Sequence, residues 1–217
     1  MKSIIAIDGP AGAGKSTVAK RVAEQLGYIY IDTGAMYRAV AWKTLRSGEE
    51  VTDAAILRAA ADIDVRLSCT HGGTRVTVDG ADVTGEIRTP EVTGIVSRVA
   101  ALAPVRAKMV DLQRAMAGAG KVVMDGRDIA TNVLPNADVK VFLSASVEER
   151  ARRRHKEMQE KGYDVDLAEL QKEIAVRDKQ DSEREISPLR QADDAILIDS
   201  TGLSIEEVTA RILALCA

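Results

Sequence analysis

The residues best suited to chemistry form one run, Gly9-Pro10-Ala11-Gly12-Ala13-Gly14-Lys15-Ser16, with the spacing Gly-x4-Gly-Lys-Ser. Glycines let the backbone turn its N–H groups inward around phosphate oxygens, and a helix opening at the end of the run adds partial positive charge. Lys15 can then reach the β and γ phosphates, and Ser16 can ligate magnesium. A nucleoside triphosphate is the expected ligand of this P-loop. Switch proteins, motors and small-molecule kinases all use such a loop, so other residues must decide among them.

Five further groups could act with it. Val122-Val123-Met124-Asp125 reads as an apolar strand ending in an acid, where P-loop enzymes place the carboxylate that positions magnesium or its waters. Gly126-Arg127-Asp128 follows at once, at the ligand-binding edge of a sheet. Arg38 lies just past another strand's carboxyl end, Arg150, Arg153 and Arg154 share one side of a helix, and Arg177, Asp181 and Arg184 stand at i, i+4 and i+7. Arginine supplies 19 of the 30 basic residues in a chain of net charge −3. Forked cations within an acidic protein suit a small anionic ligand in a cleft, and the charge balance argues against a general nucleic-acid face.

The elements needed to position these groups are legible. Ser3 to Ile7 is an apolar run ending at Asp8, as in a buried parallel strand, and the helix after the loop stops at Gly27. Tyr28 to Ile31 is a second strand closing a βαβ unit, and Asp32-Thr33-Gly34 starts a helix carrying Arg38. From Val65 to Val83 short alternating runs, with His71-Gly72-Gly73 and Asp79-Gly80 between them, predict an antiparallel insertion that forms a separate subdomain over the site. His71 reads as a surface residue. Pro90 to Ala117 predicts one or two helices broken at Pro104, with Ser97 and Arg106 flanking the break. Val139 to Leu143 is a strand, and Ser146-Val147-Glu148-Glu149 caps a helix to about Lys161. The next helix, about Asp166 to Ser182, is expected to bury Leu167, Leu170 and Ile174. Ala195 to Ile198 is a last strand before a capped terminal helix.

Bulk properties bound the class. A length of 217 residues, with 46% hydrophobic and 29% charged residues, suits one globular core with a small insertion. No apolar run approaches a membrane span, and the first strand is too short for a signal sequence, so a cytoplasmic protein is expected. Cys69 and Cys216 lack disulfide or metal spacing.

Asp32-Thr33-Gly34-Ala35-Met36-Tyr37-Arg38, Gly85-Glu86-Ile87-Arg88-Thr89-Pro90, Asp125-Gly126-Arg127-Asp128 and the segment from Arg177 to Arg184 together resemble the bacterial cytidylate kinases over nearly the whole chain. The resemblance implies an α/β P-loop nucleoside triphosphate hydrolase fold, with a five-stranded parallel sheet flanked by helices, a small antiparallel β insertion and a helical lid. It implies a single domain over 1–217: core 1–62, 84–145 and 183–217, a monophosphate-side insertion about 63–83, and a lid with its adjoining helix about 146–182. The implied reaction passes the γ-phosphoryl group of ATP to CMP or dCMP with Mg2+, without nucleic acid or membrane partners, and a monomer is expected.

Site roles follow from the same resemblance. Gly9 to Ser16 with Thr17 would bind ATP, and Ser16 and Asp125 would hold the metal. Arg38, Arg127 and Arg184 would hold the acceptor's phosphate, Thr33, Arg177 and Asp181 would lie at its ribose or nearby, and Ser97, Arg106 and Asp128 would read cytosine. Lys15, Arg127 and Arg184, with Arg150 and Arg154 from the lid, would carry catalysis by charge neutralisation and positioning. A P-loop kinase for another nucleoside monophosphate or small metabolite is the alternative. A GTP switch is disfavoured, because neither Asn132 nor Asn136 is followed by Lys as in the Asn-Lys-x-Asp guanine loop.

Overall fold

The computed structural model describes residues 3–70, 73–160 and 162–217; His71 and Lys161 lie outside these residues. Five strands, β1 (Ile4–Asp8), β2 (Ile29–Asp32), β6 (Val122–Gly126), β7 (Val139–Ser144) and β8 (Ile196–Asp199), form one parallel sheet in the order β2-β6-β1-β7-β8. Each parallel neighbour requires a crossover, and helices supply it. Helix α1 (Lys15–Leu26) leaves β1 through the P-loop, and α8 (Ile205–Cys216) packs beside it. Val18, Val22, Ile5, Ile7, Val141 and Ile212 close the core on that face.

The strand register does the positioning. Ile7 pairs with Asp125, Asp32 with Asp125, and Asp8 with Gly126, so three acidic strand ends lie side by side at the carboxyl edge. The central strand leads into the P-loop, which places its phosphate-binding turn at the middle of that edge.

On the other side, α2 (Thr33–Arg46), α3 (Asp53–Ala61), α4 (Pro90–Ala101) and α5 (Ala103–Ala117) surround a second core that includes Met36, Val40, Ile56 and Met109. The helix break falls at Leu102, and Pro104 sits in the first turn of α5, where its missing N–H leaves no helical bond unmade. A three-stranded antiparallel sheet, β3 (Val65–Thr70), β4 (Gly73–Val78) and β5 (Ala81–Asp82), is present as expected. Its placement differs from the expectation of a separate subdomain over the site. Val65, Val76, Val78 and Val83 are buried in the α2–α5 core, and burial of a valine is worth about 1.5 kcal/mol or more, which fixes the sheet to those helices.

The remaining helices, α6 (Val147–Glu160) and α7 (Leu167–Glu183), pack on each other. Leu170 and Ile174 are buried on α7, but Leu167 is 37% exposed. It is the first helical residue, and the chain before it does not bring a second apolar layer over it. Helix α7 also ends sooner than the i, i+4, i+7 line requires, because Arg184 has extended backbone (φ −62°, ψ 140°). Arg184 reaches the site from the loop, and only Arg177 and Asp181 share the helical line.

Candidate functional site

One cleft of 1270 Å³ opens along the carboxyl edge of the parallel sheet. Its lining runs from Ala11–Val18 of the P-loop and first helix to Asp128 and Arg184 at the far end, with α6 and α7 above it.

At the P-loop end, Gly9 is the residue that lets the loop leave β1. It has φ 147°, and a Cβ there would stand 1.9 Å from the Leu143 carbonyl oxygen on β7. Gly9 and Pro10 therefore support the loop from behind and are not among the residues lining the cleft. Lys15 is 5% exposed and donates through Nζ to the Pro10 carbonyl at 2.7 Å. Burial and the nearby Arg127 push its ammonium well below the usual lysine range, so the charged form is costly there without an anion.

Beside it lies a three-residue hydroxyl–carboxylate cluster. Ser16 Oγ donates to Asp125 Oδ2 at 2.9 Å, and Tyr30 Oη donates to Asp125 Oδ1 at 2.8 Å. Burial, with the neighbouring Asp32 next in effect, raises the Asp125 carboxyl to about 6. Among the described residues no group of three or more His, Cys, Asp or Glu could hold a metal by itself. A hydroxyl and one carboxylate are hard oxygen donors of the kind magnesium accepts when phosphates and water supply the rest. Thr33 Oγ1 donates to the Asp125 carbonyl at 2.7 Å and so ties α2 to the same strand end.

The middle of the cleft is cationic. Arg38 donates to Thr93 Oγ1 at 2.7 Å, and Arg88 pairs with Asp32 at 2.8 Å while Asp32 also caps α2 through the Ala35 N–H. Burial, with Arg177 and Arg88 close by, pushes Arg38 down to about 9. Burial and Arg127 push Arg177 down to about 10. Arginine stays protonated at neutral pH at such values, so these side chains are charged, desolvated and mutually repelling. Among the described residues the Nε of Arg177 and the Nη2 of Arg184 are buried without a hydrogen-bond partner, the latter with Asp128 Oδ1 3.5 Å away. Leaving such donors unmade costs roughly 1–3 kcal/mol each.

At the far end, Asp181 takes Arg127 Nε at 2.9 Å and Ser97 Oγ at 3.4 Å. Burial raises the Asp181 carboxyl, but Arg127 and Arg177 outweigh it and hold the group below the usual range. Asp128 is ion-paired with Arg106, accepts from Asn132 Nδ2 at 3.0 Å, and has Oδ1 3.5 Å from Arg184 Nη2. Arg106 is itself stacked 5.5 Å over the Tyr37 ring. Gly126 permits this turn, because a Cβ would sit 2.6 Å from Thr33 Oγ1 and 2.7 Å from Ile129 Cδ1.

The cleft thus brings together Thr33, Arg38, Ser97, Arg106, Arg127, Asp128, Arg177, Asp181 and Arg184 with Lys15, Ser16, Thr17 and Asp125. Arg154 also lines it, paired with Glu157 at 2.9 Å. Arg150 does not. It is 3% exposed, forks onto Asp178 at 3.0 and 2.5 Å, and donates to the carbonyls of Ala145 and Ala11. A position facing phosphates is corrected to one beneath the P-loop: α7 supplies a carboxylate that turns the guanidinium inward. Arg153 takes the cleft-facing place instead, bonded to Ser200 and Glu149.

The sequence pattern gives no role to Tyr30, Arg88 or Asp178, whereas Arg153 belongs to the arginine side of the expected lid helix. The available signal for Arg88 is its place in one of the family-like blocks, and for Tyr30 its place in a strand two residues before Asp32.

Comparison with known proteins adds an independent line. A family model described as cytidylate kinase matches residues 5–217. A relative named cytidylate kinase from Geobacillus kaustophilus is 58% identical over 210 residues, covering 96% of this chain and 94% of the relative. Another of that name from Bacillus subtilis is 56% identical over 216 residues, covering 98% and 95%. Among solved structures, an uncharacterized protein from Eubacterium ventriosum shares the fold with a TM-score of 0.55 at 13% identity, over 99% of this chain and 97% of that one.

Proposed function

The chain belongs to the cytidylate kinase family, and on that premise we infer that its cleft passes the γ-phosphoryl group of ATP to CMP and dCMP. The observation that carries the reading is the convergence of Arg38, Arg127, Arg177 and Arg184 on one cleft between the P-loop and Asp128, where among the described residues Arg177 Nε and Arg184 Nη2 are buried without a hydrogen bond. That is a seat for an anion whose other end reaches the Asp128 turn.

The P-loop backbone and Lys15 bind the triphosphate, and Arg153 and Arg154 approach from the lid. Arg38, Arg127 and Arg184 grip the monophosphate's phosphate and bring its oxygen in line with the γ-phosphorus. Acceptor phosphate oxygens are already largely deprotonated at neutral pH, so no general base is needed. Catalysis is positioning and charge neutralisation, as expected for a transition state with little covalent help from protein. Thr33, Arg177 and Asp181 lie at the ribose or nearby, Arg177 between it and the phosphate, and Ser97, Arg106 and Asp128 face the base. Arg150 serves by holding α6, α7 and the P-loop together through Asp178 and Ala11. Ser16 and Asp125 fit a magnesium ion, which when bound neutralises charge on the β and γ phosphates.

The test is a coupled ADP-release assay over CMP, dCMP, UMP, AMP and GMP. CMP and dCMP should give the highest kcat/KM, and a preference for another base or for a non-nucleotide phosphate would overturn the reading.

Tyr30 bears on the metal half. Its phenol fixes one Asp125 oxygen from a strand interior, so Tyr30→Phe should loosen the carboxylate without disturbing the P-loop backbone. Groups that orient metal-binding carboxylates typically matter by 10-fold or more. Calorimetric titration with a non-hydrolysable ATP analogue should show the gain in affinity from Mg2+ fall by about 10-fold, with metal-free binding unchanged. An unchanged magnesium effect would show that Tyr30 only packs.

A further inference from the structure

Asp8 is the last residue of β1, 2% exposed, and it is used by none of the steps above. Its Oδ1 accepts the Ile129 N–H and its Oδ2 the Ala130 N–H, both at 2.8 Å. Those amides open the short helical turn Ile129–Val133, whose N-cap residue is Asp128. A helical turn leaves its first N–H groups unsatisfied, and ordinarily the N-cap side chain accepts one of them. Here the Asp128 side chain makes no such bond. It points instead to Arg106, with Asn132 and Arg184 beside it. The cap comes from a different strand.

This substitution of one carboxylate for another has a steric and an electrostatic side. β1 and β6 are paired in register with Asp8 opposite Gly126, so the Asp8 side chain reaches past the Gly126-Arg127-Asp128 turn to the amides beyond it. Gly9 follows immediately and lies against Leu143 of β7. The two carboxylates also repel, and burial together with Asp128 raises the Asp8 carboxyl to about 6 despite the two backbone bonds. Repulsion from Asp8 favours the Asp128 orientation that faces Arg106 and the cleft.

We propose that Asp8 is a positioning residue for base selection: by capping the Ile129–Val133 turn from β1 it frees the Asp128 carboxylate to face the base of the monophosphate. The proposal rests on the reading that Asp128 lies at that base. It also ties the acceptor end to the P-loop, because Asp8 and Gly9 are adjacent.

The experiment compares kcat/KM on CMP and on UMP for the full-length enzyme. If the wild type itself treats CMP and UMP alike, the base assignment to Asp128 fails and the proposal falls with it. Given a wild-type preference, Asp8→Asn keeps one acceptor but turns an amide N–H toward a backbone N–H, so Asp128 is drawn back toward the uncapped turn. The CMP:UMP ratio should fall by about 10-fold, with the KM for ATP changed by less than about 3-fold. Adding Asp8→Asn to Asp128→Asn should lower the ratio little further, because residues that act through one another are not additive. Equal loss on both substrates, an equal rise in the ATP KM, or additive effects in the double variant would each overturn the proposal. If Asp8→Asn does not fold, the wild-type amide resonances of Ile129 and Ala130 decide: saturating CMP and saturating UMP should shift them differently, and identical shifts would contradict the coupling.

Discussion

Lys15→Ala is expected to lower kcat by about 10²–10³ while the protein stays folded. The two halves of this expectation have separate causes. The rate falls because a preorganised cation is removed from the oxygens where charge is redistributed during transfer. The fold survives because the buried ammonium is not a stabilising group in the free protein. Its pKa is pushed down by burial first and by Arg127 second, so the charged form is less favourable in the folded state than in the unfolded chain. A lysine with a depressed folded pKa destabilises the native state below that pKa, and the penalty fades as pH rises through it. Removing the side chain should therefore leave Tm unchanged or slightly raised near neutral pH. Against this the variant gives up the hydrogen bond from Nζ to the Pro10 carbonyl. Near-normal turnover in a variant with wild-type Tm would remove Lys15 from the catalytic machinery.

The second large effect concerns selectivity. Cytosine presents an amino donor where uracil presents a carbonyl acceptor, so a carboxylate facing that position bonds the first and leaves two acceptors opposed with the second. Asp128 Oδ2 is engaged by Arg106 and Asn132, whereas Oδ1 has Arg184 Nη2 at 3.5 Å and retains lone-pair capacity. Truncation to alanine would leave the buried Arg106 unpaired, at roughly 3–5 kcal/mol, and would confuse stability with recognition. Asp128→Asn keeps the volume and one acceptor for Arg106. It should depress kcat/KM for CMP far more than for UMP and narrow their ratio at least ~10-fold, about 1.4 kcal/mol. Proportional losses on the two substrates would assign Asp128 to holding Arg106 and Arg184, not to the base.

The readable parts of this protein are those where one residue type at one spacing has a local physical cause. The P-loop, the acids at the ends of β1, β2 and β6, and the caps at Asp32 and Ser204 all follow from backbone requirements a few residues long. The parallel sheet follows as well, since apolar runs alternate with helices. What escapes such reading is set by partners distant in sequence. Arg150 shares a helix side with Arg153 and Arg154, and only Asp178 on α7, with the Ala11 carbonyl, turns it beneath the P-loop. The β insertion is legible as strands, but which face finds a core depends on the valine pattern meeting α2–α5. Arg184 keeps its place in the cleft although α7 ends one residue before it, because its Nε is held by the Ser187 carbonyl at 2.6 Å. Asp8 looks like a strand terminator, and its two amide partners lie 121 and 122 residues away.

The central claim is that one cleft seats ATP at the P-loop and a cytidine monophosphate between the arginines and Asp128, with the phosphoryl group passing directly between them. Single-turnover reaction of excess enzyme with ATP radiolabelled at the γ-phosphoryl, in the presence of CMP and an equal amount of UMP, tests it most directly. The label should appear in CDP, with little in UDP or inorganic phosphate. Label released chiefly as phosphate, or divided evenly between CDP and UDP, would contradict it.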